Sequence, residues 1–306
     1  MNPHLALLIG VVCAGVGGDL FVRGMVGFAK WARISAAIIG TTIAAFATSS
    51  PELSVAIGAA VSGKPEISLG DALGSNVVNV ALILAIALCL SAIQSPRSSV
   101  KRDFPVALLV PVIVGLLGCD GALSRLDGGI LMVLFFVWLG FVIRQARQER
   151  STTEAAAGTT RIGSAAAQSL VGMGFLVGSG HFIVTGARGI AVAFGIPEFV
   201  IGATVVAVGT SMPELATTVI SKIRGHDEIG LGTILGSNIF NGLFIIGMAA
   251  LICPIQVQRT AVAVALGFGF ATTLFPFPNR NGLIGRSRGL GLLIIYAAYV
   301  VVLLKS

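Results

Sequence analysis

The chain carries one phrase twice, Ala-Thr-Ser-Ser-Pro-Glu-Leu at 47–53 and Gly-Thr-Ser-Met-Pro-Glu-Leu at 209–215. Shifting residues 39–83 forward by 162 positions onto 201–245 gives 20 identities in 45 positions without a gap. The matches include polar residues that unrelated apolar helices have no reason to share: Thr48/Thr210, Ser49/Ser211, Pro51/Pro213, Glu52/Glu214, Ser75/Ser237, Asn76/Asn238 and Asn79/Asn241. Self-similarity at a fixed offset marks a duplicated structural unit, so the fold must be two copies of one design.

Each copy is made for lipid. Of 306 residues 55% are hydrophobic and only 11% charged, against about 25% charged in a soluble domain, and the mean hydropathy is +0.96. Apolar runs near the ~20 residues that cross a bilayer fall at roughly 5–27, 34–62, 68–93, 104–119, 127–143, 164–194, 198–221, 229–253, 260–277 and 286–304. The expected fold is an all-α polytopic membrane protein with ten transmembrane helices. Residues 1–143 form a first five-helix repeat, 144–163 a cytoplasmic linker and 164–306 a second repeat. The start, Met1-Asn2-Pro3-His4, has no basic region or cleavage site of a signal peptide, so the first run is expected to stay as a span.

With ten spans and the N-terminus outside, 15 of the 20 Lys and Arg fall in inner connections and 5 in outer ones. That is the bias of a multi-pass protein of a plasma or bacterial inner membrane with both termini outside. The net charge of +7 then reflects topology, and nucleic acid is not an expected partner. An odd number of spans per copy makes the second copy enter from the opposite side, so the repeats are inverted, as in many secondary transporters.

The repeated motif supplies the chemistry. A carboxylate in the bilayer core costs several kcal/mol unless compensated, and neither Glu52 nor Glu214 has a Lys or Arg in its own apolar stretch. Thr48 lies at i,i+4 from Glu52, as Thr210 does from Glu214, so hydroxyl and carboxylate share a helix face. Pro51 and Pro213 cannot donate to the carbonyls of Ala47 and Gly209, which frees main-chain oxygens there. Ser75 and Asn79, with their copies Ser237 and Asn241, add neutral oxygens. An all-oxygen set without imidazole or thiolate suits Ca²⁺, and Na⁺ by its similar size, better than Mg²⁺. One Ca²⁺ or two Na⁺ would neutralise the pair, and that competition can enforce exchange.

Other polar residues have plainer readings. Asn76 and Asn238 read as interhelical glue, and Gly70/Gly74 and Gly232/Gly236 as close-packing positions. Asp19 and Arg23 should pair at i,i+4, with His181 at Asp19's place in the second copy. Glu66, Asp71, Glu198, Asp227 and Glu228 read as solvated or capping residues at helix ends. Cys13, Cys89, Cys119 and Cys253 are isolated and read as small core residues.

These motifs resemble the alpha-repeats of the calcium/cation antiporter superfamily, in its sodium/calcium exchanger branch. The likeness rests on Gly40 and residues 47–52 with Gly-Ser-Asn-Val-Val-Asn at 74–79, and on Gly202 and residues 209–214 with Gly-Ser-Asn-Ile-Phe-Asn at 236–241. It implies two inverted five-helix halves and Ca²⁺ and Na⁺ ligation by Glu52 and Glu214. Helping ligands would be Thr48, Ser49, Ser75 and Asn79, with Thr210, Ser211, Ser237 and Asn241. It also implies main-chain ligation at Ala45 and Ala207, where the proline argument points to Ala47 and Gly209. Sliding of the first and sixth helices would be permitted by Gly24, Gly27, Gly186 and Gly189. Ala47 departs from the usual Gly, Asn241 stands where potassium-dependent relatives have an acid, and Pro51 and Pro213 favour sodium over proton coupling.

The expected function is therefore a non-enzymatic secondary antiporter exchanging Na⁺ for Ca²⁺ by alternating access, with H⁺/Ca²⁺ exchange as the alternative on the same site. A channel would need a continuous polar pore, and an intramembrane enzyme lacks a second Asp for Asp19 or a His near Ser49 or Ser211. No cofactor beyond the transported ions and no protein partner are implied.

Overall fold

The computed structural model describes residues 2–152, 162–193 and 207–303. Helix α1 (Pro3–Ala32) starts on a proline, whose missing N–H costs nothing in a first turn. Asn2 Oδ1 caps it by accepting from the His4 N–H at 2.9 Å, and Arg33 closes it in the left-handed conformation, φ 57°. α2 (Ala36–Thr48) and α3 (Ser50–Val61) form one apolar stretch bent by 46° at Ser49. The first half continues with α4 (Pro65–Leu90), β1 (Ile93–Gln94), α5 (Phe104–Leu117), β2 (Ala122–Leu123) and α6 (Arg125–Thr152). The second half has α7 (Ile162–Ala193), α8 (Ala207–Thr210), α9 (Met212–Ile223), α10 (Asp227–Ile252), β3 (Ile255–Gln256), α11 (Arg259–Leu274), β4 (Leu283–Ile284) and α12 (Ser287–Leu303).

Among the described residues α1, α4, α6, α7 and α10 are long and apolar enough to cross a membrane, and the bent α2–α3 pair makes a sixth, while α11 and α12 are shorter apolar helices. The expected span at 198–221 lies partly outside the described residues. Residues 144–152, read from sequence as the start of a linker, continue α6.

The repeats are inverted. α1 and α7, first helices of the two copies, run antiparallel: a Cβ on Gly17 would meet the Gly172 carbonyl at 2.9 Å, and one on Gly24 the Ala165 carbonyl at 2.8 Å. Glycine at these positions brings the two backbones together as small residues do between membrane helices. Two short sheets repeat the inversion. β1 pairs with β4 through Ile93–Ile284, and β2 with β3 through Leu123–Ile255. Because α5 separates β1 from β2, the sheets sit at opposite ends of the bundle, and each takes one strand from each half.

α4 and α10 are the central helices, 72% and 83% buried against 35% for α1. α10 lies tightly on α2: a Cβ on Gly232 would meet the Ala37 carbonyl at 2.9 Å, and one on Gly236 the Ala45 Cβ at 2.7 Å. Gly70 and Gly74, their copies, have no such neighbour among the described residues, so the close-packing reading holds for the second pair alone. Ahead of α5 the fully buried Asp103 takes both Nε (2.6 Å) and Nη2 (2.9 Å) of Arg102, whose Nη1 donates to Gln145 of α6 at 2.7 Å. This anchors the α5 start to α6. The expected Asp19–Arg23 pair forms at 3.0 Å, and Asp19 also pairs with Arg224 beyond α9. Cys119 is exposed at the end of α5, contrary to a core role.

Candidate cation site

Each glutamate sits in the first turn of a helix that starts at a break. Ser49 and Ser211 adopt nearly the same conformation, φ −86°, ψ 11° and φ −85°, ψ 12°, in the sparsely allowed bridge region. Pro51 and Pro213 follow at the second helical positions, where they fit. The break turns the carbonyl end of α2 and the N–H end of α3 toward one region, so the first carries partial negative charge and the second favours the Glu52 carboxylate.

The two breaks meet. Ser49 Oγ donates to Glu214 Oε1 at 2.9 Å and Ser211 Oγ to Glu52 Oε1 at 3.4 Å. Each motif's serine thus holds the other motif's carboxylate. Ser237 Oγ also donates to Glu214 Oε1, at 3.3 Å, whereas its copy Ser75 has no partner among the described residues. Glu52, Glu214, Thr48, Ser49, Ser75, Ser211, Ser237, Asn79 and Asn241 are all buried. Thr210 is half-buried at the end of α8.

Asn79 and Asn241 lie where α4 and α10 widen into π turns, at Asn79–Leu84 and Phe240–Ile245; such turns concentrate at functional sites. Asn79 Nδ2 donates to Asn238 Oδ1 at 3.1 Å. Asn76 and Asn238 cross-link α4 to α10 through side-chain-to-carbonyl bonds, as the glue reading expected.

Several oxygens remain without a partner among the described residues: Glu52 Oε2, Glu214 Oε2, Ser75 Oγ, Asn79 Oδ1 and Asn241 Oδ1. Leaving such groups buried and unpaired costs roughly 1–3 kcal/mol each, more for a charged one. No three His, Cys, Asp or Glu side chains cluster among the described residues, so a cation here would be held by two carboxylates and neutral oxygens. The carbonyl oxygens differ from the proline argument. Ala47 O accepts the Ser50 hydroxyl at 2.7 Å, and Ala45 O takes the Ser49 N–H at 3.0 Å and the Thr48 hydroxyl at 3.3 Å. Ala207 opens α8.

Asp71 corrects another expectation. It is not at a helix end but in the second turn of α4 (from Pro65), one turn before Ser75, with Oδ2 buried and unpartnered. Its i,i+4 spacing from Ser75 was the available signal. Glu66, Asp227 and Glu228 do occupy first turns, with Asp227 on Lys222 at 2.8 Å and Glu228 near His226 at 3.7 Å. Glu198 lies outside the described residues, and His181 is exposed on α7.

Residues 3–144 and 164–305 both match the model of the sodium/calcium exchanger protein family. The chain belongs to that family. It is 34% identical over 275 residues to the putative antiporter CaxA of Alkalimonas amylolytica, covering 88% of this chain and 86% of that one. To the sodium/calcium exchanger MaX1 of Methanosarcina acetivorans it is 29% identical over 341 aligned positions, covering 98% and 97%. The solved sodium/calcium exchanger from Methanococcus jannaschii superposes with a TM-score of 0.83 at 27% identity, over 98% of this chain and 97% of that one. The protein is thus a multi-pass membrane protein of a cation-exchanger family, with two inverted repeats.

Proposed function

We propose that the protein exchanges Na⁺ for Ca²⁺ across the membrane by alternating access, at a site near the bilayer midplane formed by Glu52 and Glu214. The observation that carries this is the reciprocal pair Ser49–Glu214 and Ser211–Glu52, which joins both motifs into one cluster whose second carboxylate oxygens, Glu52 Oε2 and Glu214 Oε2, are buried without partners among the described residues. Thr48, Thr210, Ser75, Ser237, Asn79, Asn241 and the Ala45 and Ala207 carbonyls complete the ligand set. One Ca²⁺ neutralises the two carboxylates, and so do two Na⁺. The empty site would carry two bare charges and resist crossing. Sodium coupling is supported by the amide and hydroxyl oxygens, which a proton would not need, and by the names of MaX1 and the Methanococcus protein.

Both termini face outward in this reading. The halves are 1–143 and 164–306, and 144–163 lies in the cytoplasm. The ions are substrates, and no cofactor takes part.

The test is Ca²⁺ counterflow in sealed vesicles. Ca²⁺-loaded vesicles should release it when external Na⁺ is added at fixed pH, and a pH step without Na⁺ should do little. Glu52→Gln and Glu214→Gln should each nearly abolish ⁴⁵Ca²⁺ uptake while the protein still inserts. Release driven by pH and indifferent to Na⁺ would establish proton coupling instead, and normal uptake by either Gln variant would sink the site.

A further inference from the structure

Buried hydroxyls in this protein normally turn back onto their own helix. Thr41 donates to the Ala37 carbonyl, Ser169 to Ala165, Thr233 to Ile229 and Thr273 to Gly269, each four residues back and at 2.8–2.9 Å. That bond is the default for Ser and Thr inside a helix. Ser75, Ser95 and Ser99 are scattered exceptions, and three hydroxyls on the single helix α9 break the pattern together. Thr217, Thr218 and Ser221 are buried, and none of their oxygens has a partner among the described residues.

Their positions are ordered. Counting from Glu214, they stand at i+3, i+4 and i+7, so all three lie on the helix face that carries the carboxylate. They lead from the cation site to the far end of α9, where Lys222 Nζ meets the Ala92 carbonyl (2.6 Å) and Asp227 (2.8 Å). That end belongs with the start of β1, which Ala92 immediately precedes.

The first copy has nothing comparable. The positions after Glu52 hold Val55, Ala56 and Ala59. There the Ser68 hydroxyl is spent as glue, donating to the Ala56 carbonyl at 2.7 Å. In the second copy Gly230 stands in place of Ser68, so close to α9 that a Cβ there would meet the Thr218 Cα and carbonyl at 3.2 Å; it brings no hydroxyl to that contact, and Thr218 Oγ1 has no partner among the described residues. Packing does not account for three uncompensated hydroxyls in a row on one copy. A hydrated cation or its water, which needs oxygen partners at short intervals, does.

We propose that Thr217, Thr218 and Ser221 form a hydroxyl ladder that conducts the partly hydrated cation between Glu214 and the inner face, so that access from that side is lined with oxygen and access from the other is not. The ladder rests on the exchange reading above, and its test separates the two. In a chain lacking Cys13, Cys89, Cys119 and Cys253, Thr217→Cys and Ser221→Cys are made singly, and variants that still exchange Ca²⁺ are treated in sealed vesicles with a cationic, membrane-impermeant thiol reagent. Both should react from the side that modifies Ser151→Cys, Ser221 faster than Thr217, with Ca²⁺ slowing the deeper position. An unreactive Ser221→Cys in an exchanging protein, or reaction only from the side that modifies Lys64→Cys, would overturn the ladder. A wild type without Ca²⁺ counterflow would instead overturn the exchange reading. A second arm uses Thr217→Val/Ser221→Ala, which keeps shape and removes oxygen. The apparent KM for Ca²⁺ offered on the Ser151 side should rise about tenfold, and that on the Lys64 side should stay within about twofold. Equal weakening on both sides would mean a packing role and defeat the proposal.

Discussion

Asn76 and Asn238 hold each other. Each side-chain amide donates to the other's main-chain carbonyl, at 3.1 Å in both directions. The two residues are 162 positions apart, the offset of the repeat itself, so the pair lies on the pseudo-twofold axis and ties the central helices of the two halves at one level. Asn79 then leans on Asn238, which makes the pair the floor on which one proposed ligand is set.

Asn76→Ala should lower thermal stability by about 1 kcal/mol, the usual worth of a polar bond between membrane helices, and Asn238→Ala by more, because it also frees the Asn79 amide. Ca²⁺ exchange should survive in Asn76→Ala. Melting followed by tryptophan fluorescence in detergent, beside ⁴⁵Ca²⁺ uptake, checks both parts; abolished uptake in well-folded Asn76→Ala would make it a ligand.

Ser49→Ala should weaken apparent Ca²⁺ affinity more than Ser211→Ala. The Ser49–Glu214 bond is 2.9 Å and its mate 3.4 Å, and a hydrogen bond to a charged group is worth about 1.5–3 kcal/mol, roughly tenfold or more in binding. Titration of Ca²⁺-dependent uptake reads the order, and the reverse order would contradict the geometry.

Gly236→Ala should cost about 2 kcal/mol or more, since its Cβ would press on Ala45 and on the α2 backbone that leads to the motif. Gly58→Ala, on α3 with open space around it, should be neutral or slightly stabilising. Size-exclusion profiles before and after heating compare them.

Asp103→Asn should destabilise by about 3 kcal/mol or more, because the Arg102 guanidinium would be left largely buried without its counter-charge. The double change Arg102→Met/Asp103→Leu should be milder than Asp103→Asn alone. Yield and melting temperature in detergent decide, and a double variant worse than the single would mean the ion pair itself stabilises the fold.

Much of this was legible in the sequence because lipid imposes simple rules. Among the described residues the apolar runs located most helices within a few residues, though α6 runs on to Thr152, past the expected end at 143, and the offset of 162 located the cluster. What the sequence left open depends on packing across the repeats. Pro51 and Pro213 announced a break, but not that the kink residue would be the serine two positions earlier, nor that Ser49 would reach the opposite glutamate instead of its own. Asp71 falls near the start of the apolar run at 68–93, but the helix begins earlier, at Pro65, and its spacing from Ser75 marks the interior. Gly70 and Gly232 look alike in sequence and differ in what lies against them. The strands β1 and β3 are only two residues each, too short for periodicity, yet both are Ile-Gln and 162 apart.

Those two small sheets bear on how the protein comes to exist. β1 is made early, and its partner β4 ends at Ile284, so a ribosome must translate nearly the whole chain before that pairing can close, and β2 likewise waits for β3 at Ile255–Gln256. Until then the first half waits in the bilayer with strand edges bare, the Asn76 amide unmatched and Glu52 without Ser211. Each half thus stands to the other as a protomer in a tethered dimer, with strand edges and polar groups that its partner covers. Two separately expressed halves should therefore be degraded singly and rescued together, and a change that slows their meeting would reduce abundance without touching a transported ion.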